Sequence, residues 1–452
     1  MRRRWPLALL AALAGAVVWA AAIEPYHVGL HELTVPLAGL PAPFEGYRIL
    51  HISDFESGTP GTRESQVSAI ARRARPDLVA VTGDLVDKDL SRSDRIAAFR
   101  RMASWLGTLR APDGVWFVQG HGERNAWIDL EDMDAALAGA GVRPLWDDLA
   151  VVRRGGATLA VAGVKVRDYG AQGAWRHGSG WARAGPTQRA HVLELGGPPG
   201  GAELRGRMRA STEADSIGVV ARSTLGEGGD RFYLAVRRPD QVFLAASARG
   251  TIYARGELRR SPVHAGRWHR FRVRVDGETE ARLRGKVWPE GEPEPEAWSL
   301  DYVDEGPGRI PSGRLGLYAR GPGMKEFEDL EADGARADAW REALPSDAVS
   351  ALAAKAPPGA PILLLSHTPD VFPDAARAGM GLVLAGHTQG GQVRLPFIGA
   401  LATFTRLGRG YAQGVFAAGG TTLFVNRGVG TSRLPIRFLS PPEAALIVLE
   451  GA

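Results

Sequence analysis

Leu382-Val383-Leu384-Ala385-Gly386-His387-Thr388-Gln389-Gly390-Gly391-Gln392 is the stretch on which the fold of this chain turns. A leucine- and valine-rich run that stops at a glycine-rich loop reads as a buried strand delivering polar side chains at its carboxyl end. Side chains at such strand ends converge on one pocket, and histidine is the commonest metal ligand found there. A Gly-His-Thr triplet alone is a weak signal, because a single histidine is more often structural. The rest of the chain supplies its company.

Working outward, Arg48-Ile49-Leu50-His51-Ile52-Ser53 reads as a strand, and Glu64 to Ala74 carries helical spacing at Val67, Ile70, Ala71 and Ala74. Leu78 to Thr82 is a second strand, Asp94 to Leu106 a second amphipathic helix, and Val115 to Val118 a third strand. Leu159 to Gly163 and Ile362 to Leu365 add two more. Strands alternating with helices predict a layered α/β domain. Between 171 and 335 the rhythm changes to short alternating runs. Phe271-Arg272-Val273-Arg274-Val275, Asp276-Gly277 and Ala281 to Val287 predict an antiparallel hairpin with apolar residues on one face and arginine on the other. An all-β sandwich is expected there. Helical periodicity is expected to return from Asp338 to Ala354.

The chain has 452 residues, more than one ordinary domain, and its 44% apolar content is ample for two cores. Its net charge of +5 comes from scattered arginine without a basic block, so nucleic acid is not an expected partner. The absence of cysteine excludes disulfides and thiolate metal sites, and suits either redox compartment. Met1-Arg2-Arg3-Arg4 precedes an apolar run from Trp5 to Ile23, about long enough to cross a bilayer as a helix. The arginines predict a cytoplasmic N-terminus, an uncleaved anchor over 1–23 and an extracytoplasmic body. A signal peptide cleaved near Ala20-Ala21-Ala22 is the alternative.

Four segments end strands with ligand-type residues: Ser53-Asp54-Phe55-Glu56, Gly83-Asp84-Leu85-Val86-Asp87, Gly120-His121-Gly122-Glu123, and Ser366-His367-Thr368-Pro369-Asp370 paired with the His387 loop. Each alone could be a turn or a helix cap. Together they hold enough donors for two cations sharing a carboxylate.

These motifs, in this order, resemble those of the calcineurin-like metallophosphoesterases, which read D-x-H, G-D-x-x-D, G-N-H-[DE], an isolated H and G-H-x-H. The lead-in Leu40 to Gly46, the extension Gly391 to Pro396 and the tail Asn426 to Ser432 resemble the membrane-anchored bacterial branch. The resemblance implies a two-sheet α/β sandwich over 24–170 and 336–452, interrupted by the all-β insert at 171–335, with single-pass placement in a bacterial cytoplasmic membrane. It implies Asp54, Glu56, Asp84 and Gln389 at one metal position, and Asp84, His121, His367 and His387 at the other. Oxygen donors suit Mg²⁺, Mn²⁺ or Ca²⁺, and three imidazoles suit Mn²⁺, Fe or Zn²⁺. The departures are Glu56 for His, His121 for Asn, Gly122 for the proton-donor His and Gln389 for the second His. No catalytic residue is assigned, with His121 the one candidate acid. The insert, through Trp268, Trp288, Trp298 and the Ser312 to Tyr318 turn-strand, resembles concanavalin-like (laminin-G-type) jelly rolls, many of which bind glycans.

The expected activity is hydrolysis of a phosphomonoester or phosphodiester, in an envelope lipid or glycopolymer, by attack of a metal-bound hydroxide. The alternative is a catalytically impaired metal-binding protein whose insert engages a surface glycan or a protein. A carbohydrate-active enzyme centred on the insert is disfavoured, since the insert shows no defined carboxylate pair.

Overall fold

A computed structural model describes residues 14–451, apart from 88–89, 91, 126–129, 167–174, 197–199, 226–230, 239, 249–250, 262, 278, 307, 344–347 and 433. The chain divides into two compact units, one formed by Met1–Val166 with Asp347–Ala452 and the other by Arg167–Ser346.

The first unit is built on two six-stranded mixed sheets. Its strands are β1 (Gly29–Leu37), β2 (Arg48–Ile52), β3 (Leu78–Val81), β4 (Val115–Phe117), β5 (Val142–Pro144), β6 (Asp148–Arg154), β7 (Ala157–Val164), β8 (Ile362–Ser366), β9 (Leu382–Ala385), β10 (Arg394–Leu395), β11 (Gly399–Ala400), β12 (Gly414–Ala418), β13 (Thr421–Val425) and β14 (Glu443–Gly451). One sheet runs β1-β14-β2-β3-β4-β5, the other β12-β13-β9-β8-β7-β6. β10 and β11 form a separate hairpin.

Apolar side chains from both sheets, among them Ile49, Leu78, Trp116, Val161, Leu363, Leu384 and Phe424, make one buried cluster between them. The outer face of the first sheet packs on helices α1 (Thr62–Ala74), α2 (Arg92–Leu106) and, beyond the short α3 (His121–Asn125), α4 (Leu130–Gly139). The outer face of the second covers α5 (Ala348–Lys355) and α6 (Phe372–Arg377). Strands buried on both faces must be apolar throughout, which is why β3, β8 and β9 read as continuous runs rather than alternations. Each such leucine or valine removes enough surface from water to contribute about 1.5–3 kcal/mol.

β2, β3 and β4 pair in parallel, as do β7, β8, β9 and β13. Their carboxyl ends carry Asp54, Asp84, His121, His367 and His387, at the edge where open α/β sheets bind ligands.

The second unit is all-β, with a seven-stranded antiparallel sheet and an eight-stranded one around a single apolar cluster. The expected hairpin is present: His269–Asp276 pairs with Ala281–Pro289, and Gly277 has the positive φ (89°) its turn requires. Phe271, Val273 and Val275 face the core. Arg272 and Arg274 face outward onto Glu203, Glu294 and Asp276.

The helix expected from Asp338 is not there at its start. Trp340–Ala343 is a strand paired with Thr187–Leu195, and the helix begins at Ala348. Ladder hydrogen bonds and the packing of Trp340 on the insert core override a weak local helical preference. Residues 1–13 of the expected anchor lie outside the described residues, and no helix among the described residues is long and apolar enough to cross a membrane.

Candidate metal centre

The backbone leaving β2, β3 and β9 is bent sharply into the site. Asp54, Glu56, Asp84, His387 and Gln389 all take positive φ, between 47° and 71°. Non-glycine residues in this region cost on the order of 1–3 kcal/mol each, and such strain persists where surrounding structure fixes it. Here the neighbours do so. The Asp54 N–H donates to Gly83 O (3.0 Å) and the Glu56 N–H to Asp84 O (2.9 Å), so the β2–β3 pairing continues past the strands. The His387 N–H donates to Asp54 Oδ2 (2.9 Å), joining the two sheets across the site. Close approach needs missing side chains: a Cβ on Gly386 would sit 2.0 Å from Ser53 Oγ, and one on Gly120 would sit 2.2 Å from Asp84 Oδ1.

Two groups of donors lie close together. Ligand atoms of Asp54, Asp84 and His367 fall within 4.8 Å of one another, as do those of His121, His367 and His387. His367 therefore joins both groups, where the resemblance gave the shared role to Asp84. Glu56 is in neither close group. It accepts a hydrogen bond from Gln389 Nε2 (3.2 Å), and Gln389 Oε1 accepts one from the Ser432 N–H (3.0 Å). The amide oxygen that a cation would need at Gln389 is thus engaged by the backbone. The seven residues named from sequence are all in this neighbourhood, and five of them form the close donor groups.

The chemistry of this pocket fits a divalent cation. His367 donates from Nδ1 to Thr82 O (2.7 Å), which leaves Nε2 buried without a hydrogen-bond partner, 3.3 Å from Asp84 Oδ2. A backbone carbonyl fixing one ring nitrogen while the other faces carboxylates is the arrangement that presents an imidazole to a metal. The electrostatics agree. Burial disfavours a charged His367, yet Asp84 and then Asp54 outweigh burial and push it up to about 10. Burial raises Asp54 to about 6 despite His367. For Asp84, burial is outweighed by His367 and by the Gly122 N–H, which donates to it at 2.5 Å, and the carboxyl stays below its usual range. Burial and the charge of His367 lower His387 to about 4, keeping it neutral and ligand-competent. A proton on His367 balances the buried carboxylates, and a cation between the same groups would replace it.

Three residues without an assigned sequence role build this frame. Glu123 is fully buried and accepts N–H bonds from Gly120 (2.8 Å), Asp84 (3.0 Å) and Leu85 (2.6 Å), tying the β3 and β4 loops together. Asn426, just past β13, donates to His51 O and accepts from Gly428 N–H. Arg437 is fully buried and donates to the carbonyls of Gly430, Ser440, Arg427 and Gly428. The motif position of Glu123 was the available signal for the first. Nothing local in sequence marks Arg437.

The site opens into a cavity of about 470 Å³ whose walls include Glu56, Asp84, His121, His387, Phe404 and Leu434. At Gly122 a Cβ would meet Val86 O at 2.6 Å, so this backbone has no room for the proton-donor side chain of the motif it resembles. In the insert, Trp288 is buried, while Trp268 lies under Arg207 and Arg209 (4.7 Å each) and Trp298 under Arg284 (5.0 Å). Those ring faces hold cations rather than standing bare as platforms.

No protein-family model matches the chain. An uncharacterized metallophosphoesterase of Bacillus subtilis (strain 168), YkuE, is 42% identical over 89 residues, 20% of this chain and 31% of that protein. Uncharacterized metallophosphoesterases of Aquifex aeolicus and Helicobacter pylori (strain J99) are 33% and 35% identical over 90 and 91 residues, 33% and 23% of their lengths. The chain thus spans about a third or less of the curated relatives it matches, and over that segment it is related to metallophosphoesterases. Among solved structures, carbohydrate-binding module CBM66 from Bacillus subtilis aligns with 35% of this chain and 93% of its own at 13% identity and a TM-score of 0.27. Caenorhabditis elegans galectin LEC-6 aligns with 33% of this chain and 95% of its own, at 15% identity and 0.22.

Proposed function

We propose that this protein is a metal-dependent phosphoesterase whose first unit hydrolyses a phosphate monoester or diester. One observation carries the reading. Asp54, Asp84, His121, His367 and His387 come from five different strand ends to form two adjoining donor groups, of which Asp84, His121 and His387 line the cavity. His121, His367, His387 and Asp84 would hold one cation, and Asp54, Asp84 and His367 border the second position. Divalent cations there supply positive charge against phosphoryl oxygens and acidify water. The protein's own part is to keep His387 neutral, to fix His367 through Thr82 O, and to hold both carboxylates dry.

With Gly122 in place of an imidazole, and His121 turned into the histidine group, neither of these two positions offers a general acid for the leaving oxygen. Such an acid is worth on the order of 10²–10⁴ in rate. Aryl esters, whose leaving group needs no proton, are therefore the faster substrates, while an alkoxide takes its proton from water at that cost in rate. Purified full chain with Mn²⁺ should cleave an aryl phosphodiester far better than an alkyl one, and Asp84→Ala should abolish turnover. Absence of turnover with every divalent ion tried would leave the second reading, a metal-stabilised binding protein, which the Gln389–Glu56 hydrogen bond and Gly122 favour. The N-terminal anchor and the extracytoplasmic placement belong to the same proposal, supported by the arginine-led apolar run of 5–23.

A further inference from the structure

The mouth of the cavity is apolar, and its apolar residues are exposed. Phe397 and Ile398 form the tip of the β10–β11 hairpin with their side chains in solvent. Leu401, Phe404 (57% exposed), Leu434 (63%) and Leu439 continue the rim. Leu401, Phe404 and Leu434 also line the metal cavity. A contiguous exposed patch of this kind marks an interaction surface rather than ordinary scatter.

Two further observations say what covers it. The first is continuity with the N-terminal apolar segment. The Arg394 N–H donates to Phe438 O and Gln392 Nε2 to the carbonyls of Leu434 and Ile436, which fixes the hairpin to the 434–439 loop. That loop is in turn fixed to the end of the apolar segment: the Arg437 N–H donates to Ala20 O (2.9 Å), and Glu24 accepts from the Leu439 and Ser440 N–H groups. Val17, Val18, Trp19 and Ile23 are exposed beside it. The second is charge. From 375 to 442 the chain contains no aspartate or glutamate and seven arginines, although acids make up 50 of its 452 residues. Arg394 and Arg409 belong to the segments that carry the rim, whereas Arg406 there pairs with Asp370, Arg427 with Glu443, and Arg437 is buried.

We propose that the rim docks on an anionic phospholipid bilayer, the one the N-terminal segment enters, and that the substrate is a phosphate ester borne on a lipid. Aromatic and leucine side chains beside arginines suit the interface, where the rings enter the acyl boundary and the cations meet lipid phosphates. The cavity then opens at headgroup depth, and a lipid phosphate reaches the histidines without leaving the membrane. Hydrolysis breaks the P–O bond to the leaving alcohol. Water supplies the oxygen that bonds phosphorus and the proton taken by the leaving oxygen. The substrate class rests on the phosphoesterase reading; the docking does not.

The chain has no cysteine, so single-cysteine variants label uniquely. Full-length Phe397→Cys and Arg110→Cys, the latter exposed and at the opposite edge of the sheet before β4, would carry a nitroxide in phosphatidylglycerol–phosphatidylcholine vesicles. The label at 397 is expected to lose access to an aqueous nickel relaxant several-fold relative to 110 and to gain access to oxygen. Equal water access at both positions overturns the docking whether or not the protein is an enzyme. Dipolar coupling between labels at 397, with water access retained, overturns it in favour of self-association. Phe397→Asp, outside the cavity, should lower turnover of a vesicle-borne phosphate ester and leave a soluble aryl phosphodiester unaffected. Equal loss on both overturns the lipid-borne substrate, and absence of turnover by the parent on both overturns the hydrolase reading that the substrate class needs.

Discussion

Glu123 gives the sharpest test of how the centre is held. Its carboxylate is fully buried and accepts three backbone N–H bonds, from Gly120, Asp84 and Leu85. Glu123→Ala strands all three donors. Each unpaired buried donor costs about 1–3 kcal/mol, so the change costs on the order of 3 kcal/mol or more. In a domain of this size about 2–4 °C is lost per kcal/mol, which predicts a fall of roughly 6–12 °C in the transition of the first unit. The Asp84 loop is also released from the His121 loop, so Mn²⁺ affinity should drop with stability. Glu123→Gln keeps one accepting oxygen and turns an amide NH₂ toward a backbone N–H, so it should fall between parent and alanine variant while still folding. Calorimetric scans with and without Mn²⁺ would assign the transition, and isothermal titration would read the affinity. If Glu123→Ala melts where the parent does and binds Mn²⁺ within twofold of it, the three hydrogen bonds do not organise the site and the reasoning fails.

Other changes probe the remaining parts. Gly122→His, which installs the imidazole of the metallophosphoesterase motif, should destabilise by about 1–3 kcal/mol because its Cβ meets Val86 O at 2.6 Å, and should not raise the rate on alkyl esters; a faster, equally stable variant would contradict this. Chelation should lower the thermal transition of the first unit and Mn²⁺ should restore it, by about 4 kcal/mol at a thousandfold excess over Kd, as scanning calorimetry would record. His31 is raised above 6.5 by its hydrogen bond to Glu443, so its contribution is complete below pH 6.5 and is lost as pH rises through the raised value. Because the imidazole is 45% exposed, the effect is below about 1 kcal/mol, and His31→Gln should flatten that decline in denaturant titrations at successive pH values.

Strands β3, β4, β8 and β9 were legible because burial on both faces leaves an apolar signal that ends abruptly in ligand-type residues, and β2 was marked by Ile49, Leu50 and Ile52 around a buried His51. The hairpin at 271–287 was legible because Asp-Gly and strict alternation specify turn and register together. β1 was not. It contains Pro36 and lies at a sheet edge, and only its pairing with β14, more than 400 residues later, makes it a strand. The strand at 340–343 was hidden in the same way, since its partner lies about 150 residues upstream.

The sequence by itself determined which donors exist and in what order, because ligand chemistry resides in residue type and a strand end announces itself locally. It also determined that Gly122 and Gln389 lack the imidazoles of the related motifs. Only tertiary structure decided which donors meet. His367 stands between both groups because Thr82 O fixes its ring, and Gln389 is drawn toward Glu56 and Ser432. Tertiary structure also placed the exposed apolar rim over that cavity and beside the N-terminal segment. These are contacts between segments distant in the chain, and no local pattern encodes a distance.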